Sequence, residues 1–366
     1  MIRLYGSDWS RGELLRRAGT PFQFAGVQRS RLVEGVERDV EILEFRTGTG
    51  FSFNVIPSRG MIIGRAEYRG TPLAWLSGTG RVAPELSQEG DAGWRRSFWG
   101  GLLTTCGLVN VGSPCVDDGE TLGQHGRIAN VPATSVLSDA RWEGSQLTLS
   151  AQGTVREMEP GRHDLALTRT ITAKVGENRL YVYDIVENVG YTDAPFMFLY
   201  HINVGFPVLD EGAELIVPTR GVTPRDDVAA AAVADRFRFE QPTAGFQEQV
   251  FYHDAIADEN RHVWAALINK RFDDGQGIGI YVRYHQSQFP NLVQWKMMGE
   301  GSYAVGIEPS NCLVEGRAVE RERGTLEFIE AGGRRHFETE IGVLTGQDEI
   351  QAFEERVARV RSNGQS

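Results

Sequence analysis

A period of two in the hydrophobic pattern constrains this chain more than any other feature of its sequence. In residues 164–175 every second side chain falls on one side of an extended segment, and these are Leu165, Leu167, Arg169, Ile171 and Ala173. Residues 178–190 follow almost at once and are rich in β-branched and aromatic residues. Such segments, bounded by Gly, Asn and Asp, are typical of β-strands. We therefore predict a hairpin between residues 165 and 187, closed by Gly176, Glu177 and Asn178.

Further strand candidates follow along most of the chain. Residues 263–270 and 277–284 predict a second hairpin, with Asp274 and Gly275 at its turn. Other candidates lie near residues 22–27, 38–47, 51–56, 61–68, 145–154, 196–201, 213–217, 290–296, 302–307, 324–330 and 335–344. More than a dozen strands, separated by turns every ~8–12 residues, predict a β-sandwich or β-barrel.

Helical signals are few. Ser10 with Glu13 matches a capping box, and the helix that begins there is predicted to end at Gly19. The Ala-rich segment 226–237 predicts a short helix in a loop. In residues 347–361 the apolar side chains recur at helical spacing, which predicts an amphipathic C-terminal helix.

The chain reads as one large all-β domain. It has 366 residues, a length that large all-β folds commonly reach without division into domains. No linker or low-complexity segment divides it. We therefore expect a single domain over residues 1–366, with a short N-terminal helix and a C-terminal helix packed on it. Residues 78–124 form the longest segment without clear alternation, and functional sites are often built on long loops of β scaffolds.

Composition limits the partners that this chain is expected to have. The net charge of −11 argues against nucleic acid and anionic membranes, but not against a neutral small molecule such as a sugar. No segment approaches the ~18 apolar residues of a membrane span, and the N-terminus has no apolar core of signal-peptide length. The three cysteines show no CxxC spacing. We expect a soluble cytoplasmic protein with reduced cysteines, present as a monomer or a homodimer.

Three residues have sequence surroundings that suit chemistry. His125 lies between glycines in LGQHGR, and glycines allow the backbone to approach a ligand closely. His201 ends an apolar strand in FMFLYHINVGFP, just before Asn203. Glu308 follows an apolar strand in AVGIEPSN, where a carboxylate is costly to bury unless it is paired or has a function. Taken singly, each has a structural alternative: a hydrogen-bonded histidine, or a carboxylate paired with an arginine.

Other candidates carry weaker signals. A divalent cation is conceivable at Asp117, Asp118, Glu120 and His125, although VDDGE is also an ordinary acidic turn. The further candidates for substrate binding are Arg59, Arg127, His253 and Lys296, with surface arginines and a structural histidine as alternatives. Motifs for a serine nucleophile elbow, a phosphate loop, a zinc protease and a dinucleotide fold are absent. We therefore expect no cofactor and a small-molecule substrate.

These three sites resemble those of the aldose 1-epimerase (galactose mutarotase) superfamily, and in particular its bacterial aldose-1-epimerase-like branch. The resemblance extends in order over residues 56–77, 98–108, 122–133, 199–207 and 305–311, and this order is more specific than any single motif. It implies a large antiparallel β-supersandwich and a carbohydrate substrate. It also implies that His125 and His201 are the two active-site histidines and that Glu308 is the catalytic glutamate. The family also uses an aspartate on the sugar's hydroxyl groups, for which Asp254 is a weak candidate.

The implied reaction interconverts sugar anomers by opening and reclosing the ring. Two groups on opposite sides of the ring are expected: Glu308 removes the proton of O1 and His201 protonates the ring oxygen O5, with both roles reversed on closure. His125 is expected to hydrogen-bond sugar oxygens, with Asn203 beside His201 and the arginines orienting hydroxyl or anionic groups. The aromatic residues Trp75, Trp99, Phe206 and Trp295 are candidates for stacking on the sugar or for core packing.

Two other functions remain open from the sequence. The first is an isomerase or lyase acting on a keto-sugar or sugar acid, which could recruit a metal through Asp117, Asp118, Glu120, His125 or His253. The second is a carbohydrate-binding module without catalysis. A binding module has no need of an acid–base set, so retention of both histidines and the glutamate favours an enzyme.

Overall fold

The computed structural model describes residues 1–88, 90 and 93–364. Its strands are β1 Ile2–Leu4, β2 Ser7–Trp9, β3 Gly26–Arg31, β4 Glu41–Arg46, β5 Phe51–Ile56, β6 Ile62–Tyr68, β7 Thr71–Pro72, β8 Thr104–Leu108, β9 Cys115–Asp117, β10 Glu120–Leu122, β11 Thr134–Glu143, β12 Gln146–Glu159, β13 His163–Lys174, β14 Arg179–Asn188, β15 Ala194–Val204, β16 Glu214–Ile216, β17 Thr219–Pro224, β18 Gln249–Ala255, β19 His262–Asn269, β20 Ile278–His285, β21 Asn291–Gly299, β22 Ser302–Ser310, β23 Glu327–Ile329 and β24 Arg334–Thr345. Its helices are α1 Arg11–Leu15, α2 Gly93–Ser97, α3 Asp227–Ala231, α4 Phe272–Gly275, α5 Arg317–Arg323 and α6 Gly346–Asn363.

Three antiparallel sheets hold most of these strands. The largest has eight strands in the order β11-β12-β13-β14-β24-β20-β19-β16. The second has the order β17-β18-β21-β22-β15-β23, and β8 also pairs with β15. The third joins β3 to β7 in sequence order. The large antiparallel sheets and few helices match the all-β architecture that the alternation predicts.

Both predicted hairpins are confirmed. β13 and β14 pair with Leu167 opposite Val186, and the chain turns between them at residues 175–178. β19 and β20 pair with Val263 opposite Tyr284, and the short helix α4 forms the turn. The alternating side chains of β13 are fully buried, Arg169 among them, because the sheet turns this face toward the core.

The predicted helices form, with one difference in length. The Ser10 hydroxyl accepts from the Glu13 N–H and the Glu13 carboxylate accepts from the Ser10 N–H, so the capping box is confirmed. The helix ends at Leu15, earlier than the predicted Gly19. A short helix follows the Asp226 cap in the Ala-rich segment. Helix α6 buries the apolar face Ile350, Phe353 and Val357 against Trp264, Tyr281 and Leu344 of the eight-stranded sheet.

The strand predicted at residues 22–27 is wrong for its first half. Pro21–Gln23 form a 3-10 turn in which the Thr20 hydroxyl accepts from the Phe22 N–H, and strand β3 begins only at Gly26. The three cysteines are free, as their spacing predicts. Among the described residues, no helix is long and apolar enough to cross a membrane.

Candidate active site

Strand pairing brings His201 and Glu308 together. Strands β15 and β22 are antiparallel neighbours, and their register sets Ile202 opposite Ile307 and Leu199 opposite Ser310. This register places His201 directly across from Glu308, with both side chains on one face. His201 Nδ1 lies 3.2 Å from Glu308 Oε1. A Cβ on Gly306 would lie 2.2 Å from Glu308 Oε1, so the carboxyl group occupies space that only glycine leaves free.

A tight loop delivers His125 to the same place. His125 has a left-handed backbone (φ 55°) and is followed by Gly126, where a Cβ would lie 2.3 Å from the Gly107 carbonyl oxygen. The Gly112 N–H donates to His125 Nδ1 over 3.3 Å, which leaves the ring proton on Nε2. The His125 and His201 ring centroids are 5.7 Å apart, so the loop and the two strands form one site.

The three side chains line one cavity of about 350 Å³. This volume lies at the small end of ligand pockets. Its aromatic walls are Trp75, Trp94, Phe98 and Trp295, and its other lining residues include Arg95, Gln124, Arg225, Glu248, Met297 and Ser302. Trp94 stacks on Phe98 at 4.1 Å and lies against His125 at 4.5 Å between ring centroids. Aromatic faces beside a few polar groups suit a ring-shaped polar ligand such as a sugar.

Burial favours the uncharged form of each member of this acid–base set. Burial raises the pKa of Glu308 well above its usual range, and the charge of Glu248 raises it further. Burial, together with nearby His125, holds the pKa of His201 well below its usual range. Burial and the charge of Arg225 lower the pKa of His125 to about 3. Burial therefore favours the protonated carboxyl group and the uncharged imidazoles.

Two atoms at the centre of the site lack hydrogen bonds. Among the described residues, His201 Nδ1 and Glu308 Oε1 have no aligned hydrogen-bond partner, although both are buried and lie within 3.2 Å of each other. Buried polar atoms without partners are uncommon in folded proteins. The missing hydrogen bonds therefore set this contact apart from the other polar groups of the site.

Three other candidates lie beside the cavity without lining it. Asn203 is fully buried, and its amide donates to the Gly101 carbonyl over 2.9 Å, so it ties β15 to the loop before β8. Arg59 is buried beneath the segment that follows His125, where Nη2 donates to Asn130 Oδ1 over 2.6 Å. Arg127 is exposed and lines a neighbouring cavity of about 300 Å³. None of the three belongs to the lining that holds Glu308.

His253 and Lys296 point to the opposite face of the sheet. Trp295 faces the cavity, so Lys296, the next residue on β21, faces away from it. Lys296 Nζ pairs with Glu240 over 2.8 Å, and His253 Nε2 lies 3.0 Å from Gln294 Oε1. Lys296 therefore holds the loop of Glu240 against the sheet and His253 joins β18 to β21, both apart from the cavity that contains Glu308.

The weak candidates from the sequence are placed elsewhere. Asp254 lies on the surface, paired with Arg220 over 3.3 Å. Trp99 packs in a separate apolar cluster, and Phe206 is 64% exposed. Asp117 and Glu120 each bind Arg317 over 2.6 Å. Within the described chain, the group that could hold a metal by geometry is Glu120, Glu159 and His163, outside this cavity.

Several cavity residues escape the sequence reasoning, among them four that are charged or aromatic. They are Trp94, Arg95, Arg225 and Glu248, all on loops or short helices between strands. Trp94 and Arg95 lie within residues 78–124, the segment that the missing alternation singles out. Arg225 and Glu248 flank the Ala-rich loop, and no local pattern marks either of them.

Comparisons with known proteins relate this geometry to a fold. A family described as a domain of unknown function (DUF4432) matches residues 37–343. Among curated protein sequences, none matches the chain. The solved structures that resemble it include one from Klebsiella pneumoniae named as a candidate aldose 1-epimerase. That structure has a TM-score of 0.87 and 26% identity, over 92% of this chain and 88% of that one.

More distant structures share the fold at lower identity. A galactose mutarotase-like protein from Clostridium acetobutylicum has a TM-score of 0.58 and 12% identity, over 88% of this chain and 99% of that one. The galactose 1-epimerase of Lactobacillus acidophilus has a TM-score of 0.53 and 13% identity, over 88% and 100%. The expectation of a mutarotase-like β-sandwich, first suggested by short motifs, is therefore confirmed for the fold.

Proposed function

The chain belongs to the DUF4432 family of domains of unknown function, and from this site we propose that it is an isomerase that interconverts the anomers of a monosaccharide. The observation that carries the proposal is the contact of His201 Nδ1 with Glu308 Oε1 over 3.2 Å in the wall of a sugar-sized aromatic cavity. The similarity to structures named as an aldose 1-epimerase and a galactose 1-epimerase supports it.

The side-by-side placement of the two groups suits this reaction. Ring opening moves a proton from O1 to the ring oxygen O5, and both oxygens are bonded to C1. A proton acceptor and a proton donor that touch each other can therefore each reach one of these oxygens. The sequence suggested groups on opposite sides of the ring, and the adjacent pair replaces that arrangement without changing the chemistry.

The pair needs one proton in total. With a closed sugar bound, ionised Glu308 accepts the O1 proton and protonated His201 donates to O5, which leaves the aldehyde and a neutral pair. After rotation about C1–C2, neutral His201 takes the proton back from the O5 hydroxyl and Glu308 returns its proton to O1. Burial favours the neutral form in the empty cavity. The polar oxygens of the sugar stabilise the ionised form.

His125 has a binding role in this scheme. Its Nδ1 accepts from the Gly112 N–H, and its pKa of about 3 keeps it neutral, so Nε2–H is a fixed hydrogen-bond donor for a sugar oxygen. Trp75, Trp94 and Trp295 supply apolar faces against the ring.

The direct test measures anomer exchange by the purified protein. We expect catalysed exchange of at least one free aldose, seen by polarimetry of freshly dissolved sugar and by NMR saturation transfer between the anomers at equilibrium. The spontaneous rate, measured in the same buffer without protein, is subtracted. If no aldose of a broad panel exchanges faster than in buffer while one of them binds, the site is that of a binding module.

The pH dependence follows from the directions of the two pKa shifts. In the active form His201 and Glu308 together hold one proton. This form disappears at low pH, where the pair takes up a second proton on His201, and at high pH, where Glu308 releases the single proton. Because the pKa of His201 is lowered and that of Glu308 is raised, we expect kcat/KM to stay flat across the ordinary histidine range around pH ~6.5. An inflection near the ordinary histidine value of ~6.5 contradicts the neutral pair.

A further inference from the structure

Two charged residues of the cavity wall have no part in the scheme above. Arg225 donates from Nε to Asp226 Oδ2 over 2.9 Å and from Nη2 to Glu248 Oε1 over 3.1 Å. The second carboxylate oxygen of Glu248 accepts from Trp295 Nε1 over 3.0 Å. One carboxylate therefore fixes both a cation and an aromatic wall of the cavity.

Trp295, which Glu248 holds, lies against His201 of the reacting pair. The Trp295 ring lies 5.3 Å from the His201 ring and 5.9 Å from the Trp75 ring, between centroids. Arg225 has donors left over, because its Nη1 makes no hydrogen bond within the described part of the chain. A cavity-lining arginine held at Nε and Nη2 keeps Nη1 for a ligand.

The charges around Arg225 select against an anionic ligand. Two carboxylates, Asp226 and Glu248, share this one guanidinium, so the cluster has a net negative charge. Arg95, the other arginine of the lining, is exposed on helix α2, and the Glu248 side chain is 49% exposed, so solvent and salt screen both charges. A hydroxyl group can accept from Nη1, whereas a carboxylate or phosphate meets a guanidinium whose charge two carboxylates already balance.

We propose that Arg225 binds hydroxyl groups of a neutral sugar and that Glu248 is the positioning residue that holds Arg225 and Trp295 in place for it. The inference rests on the proposed function for the identity of the ligand as a sugar. It replaces Arg59 and Arg127 as the arginines that orient the substrate, and it favours a neutral aldose over the sugar acid of the alternative function.

Glu248 also acts on Glu308 through its charge. The charged and titratable groups that face Glu308 are His201, His125, Arg225, Glu248 and Cys106. Burial raises the pKa of Glu308, Glu248 raises it further and Arg225 lowers it. Glu248→Gln should therefore lower this pKa, an effect that lost packing alone does not produce.

The first experiment measures binding, which does not depend on turnover. D-Glucose and D-galactose are titrated against D-glucuronate and D-galacturonate by tryptophan fluorescence, since three tryptophans line the cavity. We expect the wild type to bind at least one neutral sugar more tightly than its uronate. Arg225→Met should weaken that binding about tenfold to a hundredfold, as expected for loss of a hydrogen bond to a charged group. Tighter binding of the uronate, binding of no neutral sugar, or an unchanged affinity in Arg225→Met overturns the proposal.

The second experiment separates positioning from folding. Glu248→Gln keeps an acceptor for Trp295 but removes the negative charge, so we expect the preference for the neutral sugar to shrink and the high-pH limb of anomer exchange to move to lower pH. Asp254→Asn is the matched control, because Asp254 is an exposed carboxylate paired with an arginine away from the cavity. Equal behaviour of the two variants overturns the role of Glu248. A wild type that binds neutral sugars without exchanging their anomers refutes the isomerase and leaves the binding role of Arg225 standing.

Discussion

Replacing Glu308 with Gln should lower the catalysed rate of anomer exchange by ~10²–10⁴-fold, the usual contribution of one acid–base group. The amide cannot exchange a proton with O1, so the pair loses the proton that the reaction moves. The variant should still bind sugar, because Gln has nearly the shape of the protonated carboxyl group. The measurement is NMR saturation transfer between anomers, with sugar binding followed separately.

The same variant should be as stable as the wild type or more stable at neutral pH. The pKa of Glu308 is raised in the folded protein, so the folded state binds a proton that the unfolded state releases above the ordinary carboxyl pKa. Stability therefore falls as the pH rises from ~4.3 toward the raised value. Gln removes this slope, and thermal unfolding at pH 5 and at pH 8 should show the smaller pH dependence.

Glu157→Gln is the matched control for the activity measurement. Glu157 is also a buried carboxyl group, and burial raises its pKa to about 7, but it does not line the cavity and accepts from the Leu108 N–H over 2.8 Å. It should retain the activity that Glu308→Gln loses.

The double variant Glu308→Gln/His201→Asn should be little slower than either single variant, because the two residues share one proton. Near-wild-type exchange in Glu308→Gln refutes the assignment.

The fold is predictable from this sequence wherever one face of a strand is buried. In β13 the alternation of apolar residues follows the burial, so the hairpin and its turn could be placed. Strand β11 escaped prediction because it lies at the edge of the eight-stranded sheet with nearly all of its side chains exposed. An exposed edge strand has no alternation of apolar and polar residues. It forms because its backbone hydrogen-bonds to the neighbouring strand β12.

The site is predictable only in part, because its parts meet through long-range pairing. His201 and Glu308 stood out by their surroundings, but their contact depends on the register of β15 with β22, which no local pattern gives. Strand alternation could have excluded Lys296 once Trp295 was assigned to the cavity. Arg225 and Glu248 left no signal, since their importance comes from contacts with each other and with Trp295.

One apparent exception in the pattern of β13 was a signal that could have been used. Arg169 occupies an apolar position of the alternation and is fully buried. Its guanidinium binds Asp184 from Nε over 2.9 Å and from Nη2 over 2.6 Å, and Nη1 donates to Thr105 Oγ1 over 2.7 Å. Tyr200 donates its hydroxyl to the same Asp184 carboxylate. The network thus joins the eight-stranded sheet to β8 and β15, next to His201.

Replacing Arg169 with Met should destabilise the protein by about 3–5 kcal/mol, because the Asp184 carboxylate is left buried without its cation. The double variant Arg169→Met/Asp184→Leu should recover much of this loss, since an apolar pair needs no counter-charge. Urea unfolding followed by tryptophan fluorescence measures both. If Arg169→Met does not fold, Tyr200→Phe removes one hydrogen bond of the same network and should still lower the unfolding midpoint.

The control is an ion pair of the same residue types in the same sheet. Arg156 on β12 binds Asp164 over 2.6 Å, but the Arg156 side chain is 59% exposed, so solvent screens the pair. Arg156→Met should leave the unfolding midpoint nearly unchanged. Equal midpoints for Arg156→Met and Arg169→Met would show that the buried network contributes no more than a surface pair. In that case the hydrogen bond from Tyr200 on β15 to Asp184 does not stabilise the position of β15. The position of His201 must then depend on the pairing of β15 with β22.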